Sequence, residues 1–179
     1  MARQRFAKGL AAFLSFLTPE DKVLDLDYGQ GNYSRQFVEH GLNVISFDST
    51  GVPLPSGESR LEIIHGSPFE APLPYRTFRG IWARDIFIHL DSVQLTERLG
   101  QCADWLAVGG VLYFCLLEGE GEKIIHESLP TGVRTRKIVY YRAAYLDDLL
   151  QSLDCPAVLA WYEEQSDRRW MHIIAQRKR

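Results

Sequence analysis

The chain has 179 residues, of which 46% are hydrophobic and 24% are charged, and its formal net charge at pH 7 is −3. These values predict one globular domain over residues 1–179, exclude a largely disordered chain, and give no general attraction to nucleic acid. No apolar run reaches the roughly eighteen residues that a membrane-spanning helix needs. The cysteines number three, are widely spaced and lack metal-ligand spacing, so we expect free thiols, no metal site and a reducing, cytoplasmic location. A homo-oligomer is compatible with these features.

The amino-terminal segment 1–18 is predicted to form a helix. Its apolar residues recur at helical spacing, at Phe6, Leu10, Phe13, Leu14 and Leu17. Basic residues precede GLAAFLSFL, as they do in a signal peptide. The helical periodicity and the TPED turn that follows it favour a folded helix instead.

A strand, a glycine turn and a helix follow this segment. The apolar run Val23–Leu26, broken by one carboxylate, predicts a short buried strand. Gly29 and Gly31 let the backbone turn sharply and approach a ligand closely before a helix over Asn32–His40. The pattern predicts a ligand site at this turn.

The next strand, Asn43–Phe47, ends at Asp48, whose ionised carboxylate can accept both hydroxyls of a ribose. A phosphate-binding P-loop is excluded because Gly31 is followed by Asn32 rather than by Lys. A nicotinamide fingerprint would have a third glycine where Ser34 stands, and Asp25 would repel a pyrophosphate. A carboxylate there suits a cationic ligand, such as the ammonium and sulfonium groups of S-adenosylmethionine.

These residues resemble the first motif of the class I S-adenosylmethionine-dependent methyltransferases, in which an acid precedes a glycine-rich turn. Asp25 matches the acid, and Gly29 and Gly31 match the last two glycines. Asp27 stands where the family has its first glycine, and Tyr28 where it has a small residue. Asp27 could strengthen ammonium binding, repel the cofactor carboxylate, or mark a site that has stopped binding the cofactor.

The remaining elements alternate between strands and helices, as a parallel sheet requires. They are strands Leu61–His65 and Phe78–Ala83, a helix Ser92–Ala107, a turn at Gly109–Gly110, a strand Val111–Leu117, a loop from Glu118 to Arg142, a helix Ala144–Leu153, and strands Ala157–Tyr162 and Trp170–Ala175. The resemblance covers residues 20–178. It implies an α/β Rossmann-like, doubly wound fold: a mostly parallel seven-stranded sheet with helices on both faces and a carboxyl-terminal antiparallel hairpin.

The resemblance also implies cofactor-binding residues. They are Asp25, Asp27, Tyr28, Gly29, Gly31, Asp48, Ser49, Ser67, Pro68, Arg84 and Asp85, with weaker support for Phe47, Phe69 and Ile86. Two of them have structural alternatives: Asp25 could cap nearby backbone amides, and Asp48 could cap a helix.

His89 and Arg84 are the predicted catalytic residues, because they follow the fourth strand, where the family brings methyl group and acceptor together. His89 could instead be a structural residue bonded to backbone. The predicted substrate-facing residues are Tyr33, Glu118, Arg136, Tyr140, Tyr141 and Arg142. Arg136 and Arg142 would suit an acidic acceptor, since a guanidinium pairs with a carboxylate. The basic residues near the carboxyl terminus, among them Arg168 and Arg169, are predicted to be solvated.

The function that the resemblance implies is methyl transfer from S-adenosylmethionine to an oxygen or nitrogen atom of a small molecule by direct displacement. The segment Arg84–Phe87 replaces the Asn/Asp-Pro-Pro-Tyr/Phe signature, which disfavours a DNA adenine or glutamine acceptor. The helix at 1–18 would act as a lid, and the 118–142 loop would lie over the acceptor pocket. The alternative is a catalytically inactive methyltransferase-fold protein that acts as a binding or regulatory subunit.

Overall fold

The computed structural model describes residues 7–48, 59–129, 132–165 and 167–179. It contains helices α1 (Ala7–Leu14), α2 (Asn32–Glu39), α3 (Ser92–Trp105) and α4 (Ala143–Ser152), and strands β1 (Lys22–Asp25), β2 (Asn43–Asp48), β3 (Leu61–His65), β4 (Phe78–Ala83), β5 (Leu106–Glu118), β6 (Glu122–Leu129), β7 (Gly132–Tyr141), β8 (Ala157–Gln165) and β9 (Arg168–Gln176). None of the helices in these ranges is long and apolar enough to cross a membrane.

The described residues form a nine-stranded sheet, two strands more than predicted. Seven of its strands lie in the order β3-β2-β1-β4-β5-β9-β8, and β7 and β6 also extend from β5. The first five are mutually parallel, and β9 pairs antiparallel with both β5 and β8. Strand β1 lies between β2 and β4, so the carboxyl ends of these three strands meet at one edge. The α/β doubly wound fold with a carboxyl-terminal antiparallel hairpin is therefore confirmed.

Helices cover both faces of the sheet and bury one hydrophobic core on each side. On one face, Phe13 of α1 and Phe37 of α2 pack around Trp82, with ring centroids 5.2 and 5.7 Å from it. On the other face, α3 and α4 bury a larger cluster that includes Leu95 and Leu146. The run Val111–Leu117 of β5 is buried throughout, as its apolar sequence predicts for a central strand.

The segment 118–142, predicted from sequence as a loop, is instead a β-hairpin. Strands β6 and β7 pair antiparallel from Glu122↔Val139 to Leu129↔Gly132. The hairpin joins the main sheet where Leu117 pairs in parallel with Tyr140. The loop prediction was wrong because the glutamates and lysines of this segment read as a solvated region. A two-stranded ribbon can carry charge on its open side while only the other side is covered.

Two element boundaries also differ from the prediction. Helix α1 ends at Leu14, before the predicted end at residue 18, and residues 1–6 lie outside the described part of the chain. The Gly109–Gly110 turn is an irregularity within β5, because the pairing with β4 shifts between Phe78↔Leu106 and Gly80↔Val111. Gly109 has a φ of +78°, a backbone conformation that residues other than glycine rarely adopt.

Candidate functional site

The glycine turn between β1 and α2 has the backbone geometry that its sequence predicts. Gly29 and Gly31 have φ values of +53° and +71°, in the left-handed region that glycine tolerates best. Gly31 caps the amino terminus of α2. The turn therefore fixes the backbone at the carboxyl end of β1.

Tyr28 fills the space above the second glycine. A Cβ atom at Gly31 would lie 2.5 Å from the ζ carbon of Tyr28, so the phenol ring rests against the glycine α-carbon. By contrast, a Cβ at Gly29 would meet nothing within 4 Å. The Tyr28 side chain is only 5% exposed, and its hydroxyl has no hydrogen-bond partner among the described residues. A buried hydroxyl without a partner is costly, so its burial here is unfavourable for the folded chain alone.

Asp25 is buried, and both of its carboxylate oxygens are engaged. The Ser34 hydroxyl donates to one oxygen and the backbone N–H of Asp27 donates to the other, at 3.3 Å. Burial raises the pKa of Asp25 to about 7, against the hydrogen bond from Ser34, which lowers it. Asp25 thus accepts from a backbone amide, which is the structural role considered as the alternative to cofactor binding. It also lies outside the lining of the cavity described next.

A cavity of about 1050 Å³ opens at the carboxyl edge of the sheet. Predicted residues that line it are Asp27, Asp48, Ser67, Pro68, Phe69, Asp85, Ile86, His89 and Arg136. Because three of these are aspartates from the ends of β1, β2 and β4, one side of the cavity is acidic. Burial raises the pKa of Asp27, while the nearby Arg84 guanidinium opposes this shift.

Asp48 faces the cavity from the end of β2 and is 1% exposed. Its carboxylate lies 3.5 Å from Nδ1 of His65 at the end of β3. The segment Ser67–Phe69 follows β3 and lines the same side, with the Phe69 ring stacked 5.7 Å from Trp105. A buried carboxylate beside an apolar shelf can receive a ribose diol and a planar base. Ser49, predicted beside Asp48, lies outside the described residues.

Arg84 and Tyr33 line a second cavity, of about 830 Å³, between α1 and α2. The Arg84 guanidinium lies 5.0 Å from the centre of the Tyr33 ring, and its Nε lies 3.8 Å from Asp85. Arg84 therefore lines a different cavity from His89, and the predicted catalytic pair is separated. Leu10, Ala11 and Leu14 place α1 over this second cavity.

His89 is held by the hairpin. Its Nδ1 bonds to the backbone carbonyl of Lys137, and the adjacent Ile88 carbonyl accepts from Val139 N–H at 2.9 Å. A carbonyl only accepts, so Nδ1 carries the proton in neutral His89 and Nε2 keeps its lone pair. The imidazole therefore makes the bond to backbone that a structural histidine would make. It also lines the large cavity.

The other predicted substrate-facing residues lie elsewhere. Glu118 is paired with Arg169 at 2.7 Å and lies outside the cavity lining. Tyr140, Tyr141 and Arg142 line a separate, shallow cavity of about 230 Å³. Arg142 is paired there with Glu120. Of the six, only Arg136 lines the large cavity; Tyr140 and Tyr141 lie further along β7, where that strand pairs with β5.

Several lining residues were missed from the sequence. They are Leu26, His65, Gly66, Ile88, Ile125, Ile138, Arg168 and Trp170. Arg168 and Trp170 come from β9, which pairs with β5 at Leu117↔Trp170 and so reaches the same edge of the sheet. From the sequence, the two-residue spacing of Arg168 and Trp170 predicts that both lie on the same face of a strand. It does not predict which face of the sheet that is. Within the described ranges, no group of three or more metal-ligating side chains is present.

No protein-family model and no curated protein sequence matches this chain. Solved structures do match it, and many of them are S-adenosylmethionine-dependent methyltransferases. The protein has their class I fold.

Two such neighbours illustrate the likeness. One is the 1,6-didemethyltoxoflavin-N1-methyltransferase of Burkholderia thailandensis, crystallised with 1,6-didemethyltoxoflavin and S-adenosylhomocysteine. It matches with a TM-score of 0.75 and 17% identity over 97% of this chain and 78% of that one. A methyltransferase from Mesorhizobium loti matches with a TM-score of 0.75 and 12% identity over 96% and 97% of the two chains. The [4+2]-cyclase SpnF also matches, with a TM-score of 0.73 and 13% identity over 98% and 82%. At these identities the likeness defines the fold.

Proposed function

We propose that the protein binds S-adenosylmethionine in the large cavity and transfers its methyl group to an oxygen or nitrogen atom of a small molecule. The observation that carries this proposal is Asp48, a 1% exposed carboxylate at the end of β2 that lines the cavity. An ionised carboxylate offers two acceptor oxygens to a ribose diol. The fold of the chain, shared with methyltransferases of known cofactor, supports the same reading.

The residues present fit this cofactor at both ends. Asp48 and the Ser67–Phe69 shelf suit the adenosine half. Asp27, just after β1, suits the cationic groups of the methionine half. The Tyr28 hydroxyl is buried against Gly31 and lies outside the cavity lining, so donation to the cofactor carboxylate would require its ring to move. The open space in front of Gly29 leaves room for close approach to the backbone.

When bound, the cofactor supplies a methyl group activated by a sulfonium. The protein's own task is to align the two reactants and to exclude water. His89 lines the cavity, and its Nε2 is free to accept a proton because Nδ1 is committed to the Lys137 carbonyl. We therefore assign His89 as the base for a hydroxyl acceptor. Arg84 positions Asp85 and Tyr33 from the neighbouring cavity.

Calorimetry tests the cofactor assignment. Wild-type protein is titrated with S-adenosylmethionine, S-adenosylhomocysteine and, as a negative control, NADH. We expect micromolar affinity for the first two ligands and a loss of about ten-fold or more in Asp48→Asn, since a bond to a charged group is removed. Asp104→Asn, an exposed aspartate on α3, is the matched control and should bind normally. Equal affinity of Asp48→Asn and wild type would contradict the ribose assignment.

A second function is favoured by the Asp27–Tyr28 pair: a protein that keeps the methyltransferase fold as a binding or regulatory subunit. Tyr28 occupies space above Gly31, and Asp27 adds a carboxylate where the methionine tail would lie. The presence of a cyclase among the structural neighbours supports a broader use of this fold. Asp27→Gly separates the two functions. If wild type binds no S-adenosylhomocysteine and the variant does, that substitution has closed the pocket and the subunit function stands.

A further inference from the structure

Charges of opposite sign line opposite sides of the large cavity. The aspartates come from the ends of β1, β2 and β4, whereas Arg136 and Arg168 come from β7 and β9. In the sheet, β9 lies beyond β5, and β7 joins β5 at its carboxyl end. The acidic side is the side assigned to the cofactor, so the two arginines face a second ligand.

Arg168 is distinguished by comparison with its neighbour. Arg169 is paired with Glu118 at 2.7 Å and with Glu164 at 3.5 Å. Arg168 makes no ion pair with any carboxylate in the ranges that the structure describes, although it is only partly exposed. Successive residues of a strand point to opposite sides, which explains why one arginine meets glutamates and the other meets the cavity.

Arg136 lies on β7 opposite Ile125 of β6, and both residues line the cavity. Its Nε atom is buried. Guanidinium groups are planar and weakly hydrated, so they bind carboxylates well in a partly apolar setting. Arg136 and Arg168 thus provide the donors for an anionic group.

The wall around the arginines is apolar. It consists of Ile86, Ile88, Ile125, Ile138 and Trp170. Trp170 and Ile138 are both buried in the same core cluster. A flat, apolar body would be enclosed between these side chains, with its charged group at the arginines.

We propose that the methyl acceptor is an apolar, aromatic-type carboxylic acid whose carboxylate is held by Arg136 and Arg168. This inference rests on the proposed function, because the acidic side of the cavity is assigned to the cofactor. Anchoring the acid at β7 and β9 leaves the rest of the molecule along the apolar wall beside His89. The carboxylate sets which molecules enter, and the nucleophile lies at their other end.

The test uses three acid–amide pairs: cinnamate and cinnamamide, 4-hydroxybenzoate and 4-hydroxybenzamide, and indole-3-acetate and indole-3-acetamide. Affinities are measured by calorimetry on the S-adenosylhomocysteine complex and on the protein alone. The proteins are wild type, Arg168→Met, Arg136→Met and the control Arg169→Met, each with its thermal midpoint recorded. We expect at least one acid to bind, its amide to bind roughly ten-fold to hundred-fold more weakly, and the same loss in the first two variants. Arg169→Met should bind as wild type does.

The inference is overturned if no acid binds, if the amides bind equally well, or if Arg168→Met and Arg136→Met keep the affinity for acids. It is also overturned if these two variants lose S-adenosylhomocysteine affinity, because the arginines would then serve the cofactor. Failure of the proposed function has a different result: wild type binds no S-adenosylhomocysteine, while the protein alone still binds acids through the arginines.

Discussion

The phenol ring of Tyr28 lies against the α-carbon of Gly31, three residues further along the chain. The contact lies inside the turn that joins β1 to α2 and leaves the tyrosine hydroxyl buried without a partner among the described residues. A side chain of this size replaces the small residue of the family motif. The turn is therefore packed by its own residues before any ligand arrives.

Tyr28→Phe should have opposite effects on stability and on binding. Removing an unpaired buried hydroxyl should leave the free energy of unfolding unchanged or raise it by about 1 kcal/mol. If the hydroxyl donates to the cofactor carboxylate, affinity for S-adenosylhomocysteine should fall by about ten-fold. Thermal unfolding with and without the ligand measures both effects. A variant that is less stable on its own would show that the hydroxyl has a partner.

Gly31→Ala should destabilise the protein more than Gly29→Ala. Both positions have positive φ, which costs an alanine about 1 kcal/mol, but only a Cβ at residue 31 would overlap the Tyr28 ring. Urea denaturation of the two variants gives the difference. Part of the additional cost should disappear in the Tyr28→Ala background, as a double-mutant cycle would show. Equal costs at the two glycines would refute the packing between Tyr28 and Gly31.

His89→Asn should fold with nearly wild-type stability, because the asparagine amide can replace Nδ1–H as donor to the Lys137 carbonyl. His89→Leu cannot donate and should lose about 1 kcal/mol. Chemical denaturation compares the two variants. Neither retains an acceptor nitrogen in the position of Nε2. Methyl transfer to a hydroxyl acceptor should therefore fall by roughly a hundred-fold in both variants, as expected for loss of a base. Unchanged turnover in His89→Asn would remove His89 from that role.

Asp25 should make the protein less stable as pH rises. Its pKa is raised from 3.8 to about 7, so between these values the folded protein binds more protons than the unfolded chain. The stabilisation is fully present below about pH 4 and is lost as pH passes through about 7, on the order of a few kcal/mol. Asp25→Asn removes this loss, and its free energy of unfolding should vary less between pH 4 and 8. Asp104→Asn, an exposed control, should keep the wild-type pH dependence. An identical slope in Asp25→Asn would disprove the shift.

The main sheet was predictable because each of its strands carries a local signal. Val23–Leu26 and Val111–Leu117 are short apolar runs, and the glycine turn between β1 and α2 has a sequence that only a few backbone shapes satisfy. The hairpin gave no comparable signal. In Glu122–Leu129 the polar and charged residues outnumber the apolar ones by five to three, and the partners in β7 lie between 3 and 17 positions further along the chain. Such pairing is decided by tertiary contacts, which a local pattern cannot contain.

The acidic side of the large cavity could be predicted better than the side with the arginines for a related reason. Asp48 ends β2, and Asp27 and Asp85 follow β1 and β4 by two residues; the parallel arrangement fixes the direction of all three strands. Arg136 and Arg168 reach the cavity from antiparallel strands, whose facing side depends on register. From the sequence we expected Arg136 and Arg142 to bind an acidic acceptor together. In the structure Arg142 forms an ion pair with Glu120, and the second arginine that lines the cavity with Arg136 is Arg168.

The attachment of the β6–β7 hairpin has a consequence for ligand entry. Among the described residues, the hairpin pairs with the main sheet at Leu117↔Tyr140 and Glu118↔Tyr141. It contacts the 88–91 segment through Val139 N–H, His89, the Tyr141 hydroxyl, which donates to Leu90 at 2.7 Å, and Lys137, whose Nζ lies 3.9 Å from Asp91. Detaching this ribbon breaks few bonds while the seven-stranded sheet stays intact. Its amides should therefore exchange with solvent through a local opening of low free energy, whereas those of β1, β4 and β5 should require global unfolding. The cavity wall that carries Arg136 is the part of the molecule that we expect to open while the acidic side of the cavity remains folded.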